Sequence, residues 1–499
     1  MSKNKFADLV FYEIYPTSFY DSNGDGIGDL KGIEMKLDYV KELGFNAIWF
    51  NPFFKSPFHD GGYDVEDFFD VDPKFGNLDD FKSMVKRAHE LGIKVILDLV
   101  AGHASSLNKE FIKSAQPERN DCSDMFIWSD SIWTNRDNIY TLISGMYDRD
   151  GCYLVNFFAH QPAFNYGFDK IDQPWQMHYT DKRCEKARNY LLEIMRFWLS
   201  LGADGFRVDM ADSLVKHDDE RLATIKLWNY FYSVIRKEYP DAFFVSEWSF
   251  PSRAFESGFD CDFVLDHWDN FYHRMFRSNE KTRGISQINS GYHTEKINLD
   301  LAWRLEATKK YGKLLGNISG NHDTTRIANY LSGEKLRMFY ITIFGLPGIP
   351  FVLYGDELEM KTSPISSKDG GYGRTGTRIP MIWDNKTKNH GFSDTKGDTY
   401  LPFWDENKIS VEDAIKDKKS VYNFIKKLIE LRQGNEDLKT PDYELKTDDR
   451  VIRILRGKTI EVVLNFSDDE VAVDGEVLIS SSEITNGKLK GYNAAILRK

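Results

Sequence analysis

Between residues 9 and 357 of this 499-residue chain, short apolar runs alternate with longer amphipathic or loop segments about eight times, and few folds accept that rhythm. The runs are residues 9–16 (LVFYEIYP), 47–52 (AIWFNP), 94–100 (KVILDLV), 205–210 (GFRVDM), 243–248 (FFVSEW), 262–266 (DFVLD), 316–323 (GNISGNHD) and 348–357 (GIPFVLYGDE). Helical periodicity occupies residues 79–91, 186–200, 222–238 and 420–432. Strands joined through helices pair in parallel, and eight of them predict an α/β fold, the (β/α)8 TIM barrel. The rhythm lapses over residues 104–170, which are rich in Asn, Asp, Ser and aromatics, and this predicts a loop-rich domain inserted after the third strand. From about residue 441 the texture changes to short alternating runs (VIRILR, TIEVVLNFS, EVAV, EVLISS), the pattern of a small antiparallel β domain. The expected division is therefore 1–103 and 171–440 for the two parts of the barrel, 104–170 for the insertion and 441–499 for a C-terminal β-sandwich.

Charged residues gather at the carboxyl ends of the predicted strands, the face on which this barrel carries chemistry. Arg207 and Asp209 lie two apart, so strand alternation points both the same way. A guanidinium there would keep Asp209 ionised and oriented, as a carboxylate nucleophile requires. Asp98 with His103, Glu247, and His322 with Asp323 end three other strands. Four acids, two imidazoles and an arginine at one rim suit glycoside cleavage through a retained intermediate, in which carboxyls about 5 Å apart act as nucleophile and as acid/base. Taken singly, each residue is equally readable as structural; Asp98, for instance, can serve chiefly to brace Arg207.

A formal charge of −12 argues against nucleic acid or an anionic membrane as partner. Cys122, Cys152, Cys184 and Cys261 show no metal-ligand or paired spacing, and the N-terminal stretch lacks an apolar signal core, so free thiols and a cytoplasmic location are expected. No run is long enough to cross a bilayer. Aromatics make up 14% of the chain, and Phe53, Phe54, Phe58, Tyr63 and Phe68 fall in predicted loops, where they suit either sugar stacking or local core. After the first strand, DSNGDGIGD places oxygen side chains at Asp21, Asn23, Asp25 and Asp29, a glycine at the sixth position and the Ile27 carbonyl at the seventh. That spacing is a calcium loop lacking its final glutamate, because the twelfth position is Gly32, and it predicts a rigid structural site for Ca2+ or Mg2+.

Four motifs in order, DLVAGH, GFRVDM, SEW and NHD, resemble those of the α-amylase superfamily of retaining α-glycoside hydrolases, and the resemblance runs along essentially the whole chain. It implies Asp209 as nucleophile, Glu247 as general acid/base and Asp323 as a third, substrate-distorting acid, with Tyr63, His103, Arg207 and His322 lining the subsite for the transferred sugar. The metal loop, QPAFN (161–165) and GRTGTRIPMIWD look most like the oligo-1,6-glucosidase and α-glucosidase branch. That implies an exo-acting enzyme on short oligosaccharides, with Asp60 and Arg378 forming a salt bridge that closes the pocket. Gly102 stands where the superfamily usually has a calcium-binding asparagine, which argues against that second metal site. Met210 matches neither the valine nor the threonine or alanine associated with 1,6 and 1,4 linkages, and Asp212-Ser213 replaces a Lys-His pair of starch-degrading members. A transglycosylase or isomerase using the same acids, an endo-acting amylase and a non-catalytic transporter subunit are the competing expectations.

Overall fold

The computed structural model describes residues 4–134, 140–266, 270–277, 294–364, 368–370, 372–448 and 450–499. Eight strands, β1 (Phe11–Ile14), β2 (Ala47–Phe50), β3 (Lys94–Val100), β4 (Gly205–Asp209), β5 (Phe243–Ser246), β6 (Cys261–Phe263), β7 (Leu314–Ile318) and β8 (Ile349–Leu353), close into one barrel in sequence order. Every neighbouring pair is parallel, including the closure of β8 onto β1. The connections carry α1 (Leu30–Leu43), α2 (Leu78–Glu90), α3 (Glu185–Ser200), α4 (Leu222–Glu238), α5 (Pro251–Glu256), α6 (Thr294–Tyr311), α7 (Gly333–Gly345) and, after β8, α8 (Val421–Gln433). Local chemistry sets the helix ends. The Asp29 side chain takes the Gly32 N–H at the start of α1, and Asn77 with Asp80 forms a capping box on α2.

Alternation along the strands separates two cores. Phe11, Trp49, Ile96, Phe243, Val245, Phe263, Ile318 and Phe351 fill the barrel interior, while Tyr12, Ile48, Phe206, Val208 and Phe244 face the helices. Gly205 opens β4 with φ +151°, and a Cβ there would fall 2.0 Å from the Phe243 carbonyl oxygen, so only glycine lets β4 and β5 come together.

The insertion contains a helix (Lys109–Ser114) and a three-stranded antiparallel sheet in the order Trp128–Ser129, Cys152–Leu154, Leu142–Ser144. A bridge between His103 and Ala163 fastens it over the carboxyl ends of the barrel strands, and one between Phe126 and Phe164 holds the insertion to itself. At the other end of the chain, Tyr443–Asp448, Val451–Arg456, Ile460–Asn465, Asn493–Arg498 and Glu476–Ser480 form a five-stranded antiparallel sheet in that order. It packs on α7 so closely that a Cβ on Gly345 would meet Val462 at 2.9 Å.

Several strand ends shift, the eighth run stopping at Leu353 and the first spanning only Phe11–Ile14. The seventh run was expected to reach Asp323, but β7 ends at Ile318, because the Asn321 side chain takes the Asp323 N–H and turns the chain out of the ladder. The sixth begins at Cys261 and stops at Phe263, short of Asp266. The C-terminal strands Tyr443–Asp448 and Asn493–Arg498 were absent from the predicted runs: the first is mostly polar, and the second is recognised only by its pairing with Ile460–Asn465.

Candidate active site

The inward-facing residues change character along each strand. Below the rim they are apolar; two residues further on, alternation brings Glu13 after Phe11, Asn51 after Trp49, Asp98 after Ile96 and Glu247 after Val245. On β4 the same face carries Arg207 and then Asp209. Asp98 and Arg207 are direct register partners, as are Val100 and Asp209, so the parallel ladder itself sets acid and guanidinium side by side. The Glu247 N–H still bonds the Val208 carbonyl, which keeps Glu247 at the height of Asp209.

Arg207 is the hub. Its Nη1 reaches Asp98 Oδ1 at 2.7 Å and Asp209 Oδ1 at 3.0 Å, and its Nη2 reaches Glu247 Oε1 at 2.7 Å. The other oxygen of Glu247 accepts the Met210 N–H at 2.9 Å, and Asp98 Oδ2 accepts from Tyr63 at 2.8 Å and from Trp49 at 3.1 Å. Burial works against the guanidinium, yet Asp98, Glu247 and Asp209 together hold it well above its ordinary value. Burial also pushes Asp209 and Glu247 up to about 7, only partly offset by Arg207, and Asp98 up to about 6. One cation shared by three largely desolvated carboxylates does not offset their burial, so the Asp209 and Glu247 pair retains a proton near neutrality.

His322 stacks on Tyr63, with ring centroids 5.2 Å apart and planes within 9°. Its Nδ1 is held by Glu13 at 2.9 Å and by Asn51 at 2.8 Å, and its Nε2 stands 3.7 Å from Asp323. Asp323 Oδ1 receives Arg378 Nη2 at 2.6 Å. Here the structure departs from expectation. The ion pair expected between Asp60 and Arg378 is not formed: Arg378 lies between Asp323 and Asp369, the latter 4.0 Å from Nη1, while Asp60 Oδ2 takes the Gln161 side-chain N–H at 2.9 Å. Arg378 is drawn to the acids of the β7 and β8 loops, and Asp60 is turned toward the insertion.

His103 lines the same cavity, but both its ring nitrogens are engaged, Nε2 with the Tyr63 carbonyl at 3.1 Å and Nδ1 with Asn156 at 3.1 Å. Burial lowers its pKa to about 3, so it is neutral. Of the loop aromatics, Phe53, Phe54, Phe58 and Phe68 are core, and only Tyr63 reaches the site. Asp60, Tyr63, His103, Asp209, Glu247 and Asp323 border one cavity of about 310 Å³. Phe157, Gln161, Met210, Asp212, Trp248 and Leu265 complete it. Arg207, His322 and Arg378 stand behind this wall and orient it. Gln161 was visible in the sequence only as part of QPAFN, and Phe157 by no signal at all, because both are carried to the barrel by the insertion.

The loop after β1 folds onto itself. Asp21 accepts the N–H groups of Asn23, Gly24 and Gly26, Asn23 that of Asp25, and Asp25 that of Ile27. Asp29 is taken up by Ser22 and by capping α1. Asp21 and Asp29 are buried, and among the described residues none of the three acids pairs with Lys or Arg. The Cys122, Cys152, Cys184 and Cys261 thiols are unpaired and buried, and among the described residues no helix is long and apolar enough to cross a membrane.

Fold and site together define a (β/α)8 barrel whose strand ends surround an acidic pocket of the kind used in glycoside cleavage. The chain belongs to the alpha-amylase family: the family's "Alpha amylase, catalytic domain" profile matches residues 13–440. It is 30% identical to Alpha-amylase 3 of Dictyoglomus thermophilum over 489 residues, covering 93% of this chain and 87% of that one. It is 29% identical to the oligo-1,6-glucosidase of Parageobacillus thermoglucosidasius over 539 residues, covering 94% and 91%. In fold it is similar to the trehalulose synthase from Pseudomonas mesoacidophila, with a TM-score of 0.81 at 23% identity over 99% of each chain.

Proposed function

We propose that this protein is an exo-acting α-glucosidase that cleaves short oligosaccharides with retention of configuration. One observation carries the reading: a single buried guanidinium binds the carboxylates that end three neighbouring strands, and two of these, Asp209 and Glu247, face one small cavity. In the first step an Asp209 oxygen attacks the anomeric carbon, the glycosidic C–O bond breaks, and Glu247 gives its proton to the departing oxygen. In the second, Glu247 takes a proton from water, whose oxygen attacks the same carbon and frees Asp209. Arg207 favours the ionised form of Asp209 throughout, and Asp323, held by Arg378, is placed to accept hydrogen bonds from the sugar. A cavity of about 310 Å³ lies at the small end of ligand pockets, which run from about 300 to 1,000 Å³, and suits a chain end better than a threaded polymer.

Digestion of maltose, isomaltose, sucrose, trehalose and end-blocked maltooligosaccharides, with products resolved over time, tests the reading. Glucose is the expected first product, with little attack on the end-blocked chains. Rapid cleavage of blocked chains would establish endo action instead, and rearranged disaccharides at high sugar concentration would establish a transglycosylase.

The residues Asp21, Asn23, Asp25, Ile27 and Asp29 would hold Ca2+ or Mg2+ in a purely structural role. Support comes from two buried carboxylates without a basic partner in an oxygen-rich loop. Metal analysis of the purified protein and a fall in Tm on chelation are the expected results. The four buried free thiols support a cytoplasmic location.

A further inference from the structure

Outside the acidic pocket, one cluster has the composition of a transition-metal site. His59, Asp64 and His160 each offer a ligand atom, and these atoms lie within 4.8 Å of one another. Asp64 is fully buried, and its only ion-pair partner among the described residues is His59, whose Nδ1 stands 3.4 Å from Oδ2. Its oxygens are fixed by the Ser56 hydroxyl at 3.0 Å and by the N–H groups of His59 at 3.0 Å and Asp60 at 3.2 Å. The His160 ring is wedged between Phe158, stacked at 5.5 Å, and His59, edge-on at 5.1 Å. The Nε2 of His160 is shielded from solvent and has no hydrogen-bond partner. A buried imidazole nitrogen without a partner is costly, and a cation removes that cost.

We propose that His59, Asp64 and His160 bind one divalent transition-metal ion of the zinc class, with water as fourth ligand. Two imidazoles and a carboxylate suit such an ion rather than Ca2+ or Mg2+. Ligands at about 2.0–2.1 Å around a tetrahedral ion stand about 3.4 Å apart, the separation His59 and Asp64 already have, and His160, within 4.8 Å of both, needs to close by at most about 1.4 Å. The His59 side chain is 57% exposed, which leaves an entry path and room for the water. The ion would act as a staple. His59 adjoins Asp60 and His160 adjoins Gln161, and these two neighbours already bond each other at 2.9 Å in the cavity wall. A metal bridge would tie the loop after β2 to the insertion at the point where they close the pocket.

The test is titration of the metal-stripped full chain, preloaded with Ca2+, with CoCl2, followed by visible absorption and by Tm. The expected result is one Co2+ per chain with the strong visible bands of a four-coordinate ion, a raised Tm, and displacement by ZnCl2. His59→Gln and His160→Gln should each weaken Co2+ binding by at least about 100-fold, since outer-shell partners alone are worth about 10- to 100-fold. Both variants should keep the metal-free Tm and metal-free hydrolysis of a nitrophenyl α-glucoside. Co2+ binding of unchanged affinity in both variants, or only weak six-coordinate spectra in the parent protein, would overturn the proposal.

Discussion

The two ends of the barrel each bury arginines, and they use them for opposite purposes. At the carboxyl end, Arg207 meets the carboxylates Asp98, Asp209 and Glu247. At the other end, Arg432 on α8 donates to the carbonyls of Ala7, Gly348 and Leu438, and Arg456 on the C-terminal sheet to those of Gly345, Leu438 and Thr440. The acids raise the pKa of Arg207, whereas burial lowers Arg432 to about 10 and Arg456 to about 9. One end concentrates anions beyond what its cation can neutralise and so holds a reactive proton. The other ties chain ends and domains together with neutral dipoles. Charge in excess at the rim is a cost to folding that chemistry requires, while carbonyl capping at the base serves the fold alone.

Removing charge at the rim should have the largest effect. Asp209→Asn is expected to lower kcat/KM on a nitrophenyl α-glucoside by at least about 10⁴-fold with the circular dichroism spectrum intact. A variant retaining a tenth of the activity would refute Asp209 as nucleophile. Next in size, Arg207→Met strands three acids and should cost about 3–5 kcal/mol of stability at pH 8. The cost should shrink at pH 5, where the acids take up protons. Arg456→Met, the counterpart at the base, should cost less, about 1–3 kcal/mol, with the same loss at both pH values and activity per folded molecule unchanged. Equal pH dependence of the two variants in urea melts would erase the contrast.

A third outcome runs in the stabilising direction. The folded-state pKa of Glu247, about 7, lies above its ordinary 4.5, so the protonated form stabilises the fold below about pH 4 and that contribution is lost as pH rises through 7. Glu247→Gln mimics the neutral form and should therefore stabilise the protein by up to about 3 kcal/mol at pH 8 and by less at pH 5, while abolishing activity. The same retained proton predicts a bell-shaped kcat/KM profile with a limb near pH 7. A profile flat from pH 5 to 9 would remove the coupled pair. Smallest of all, Gln161→Ala should raise KM about 10-fold with kcat nearly unchanged, because it loosens Asp60 without touching Asp209 or Glu247.

Much of the rim was legible because strand alternation and parallel register are local rules. Arg207 and Asp209 share a face by spacing alone, and the brace between Asp98 and Arg207 follows once β3 and β4 are neighbours. Loop-borne residues obeyed no such rule. Asp60 and Arg378 were both expected at the pocket and both lie near it, yet each found another partner, because a loop side chain bonds whatever acid or amide the fold brings closest. The same holds for His59 and His160, 101 positions apart in the chain and adjacent only because the insertion folds back over β2.

From the order of its residues alone, the chain dictated eight short parallel strands, their inward faces, and the placing of Arg207, Asp209 and Glu247 at one rim. Periodicity and hydrophobic burial act over a few residues, and a closed barrel is the arrangement that satisfies eight such units. Tertiary structure alone decided which acid Arg378 neutralises, how Gln161 and Phe157 reach the cavity, and that burial raises Asp209 and Glu247 to about 7. Those outcomes depend on desolvation and on distances between segments remote in sequence, and neither quantity exists until the chain has closed on itself.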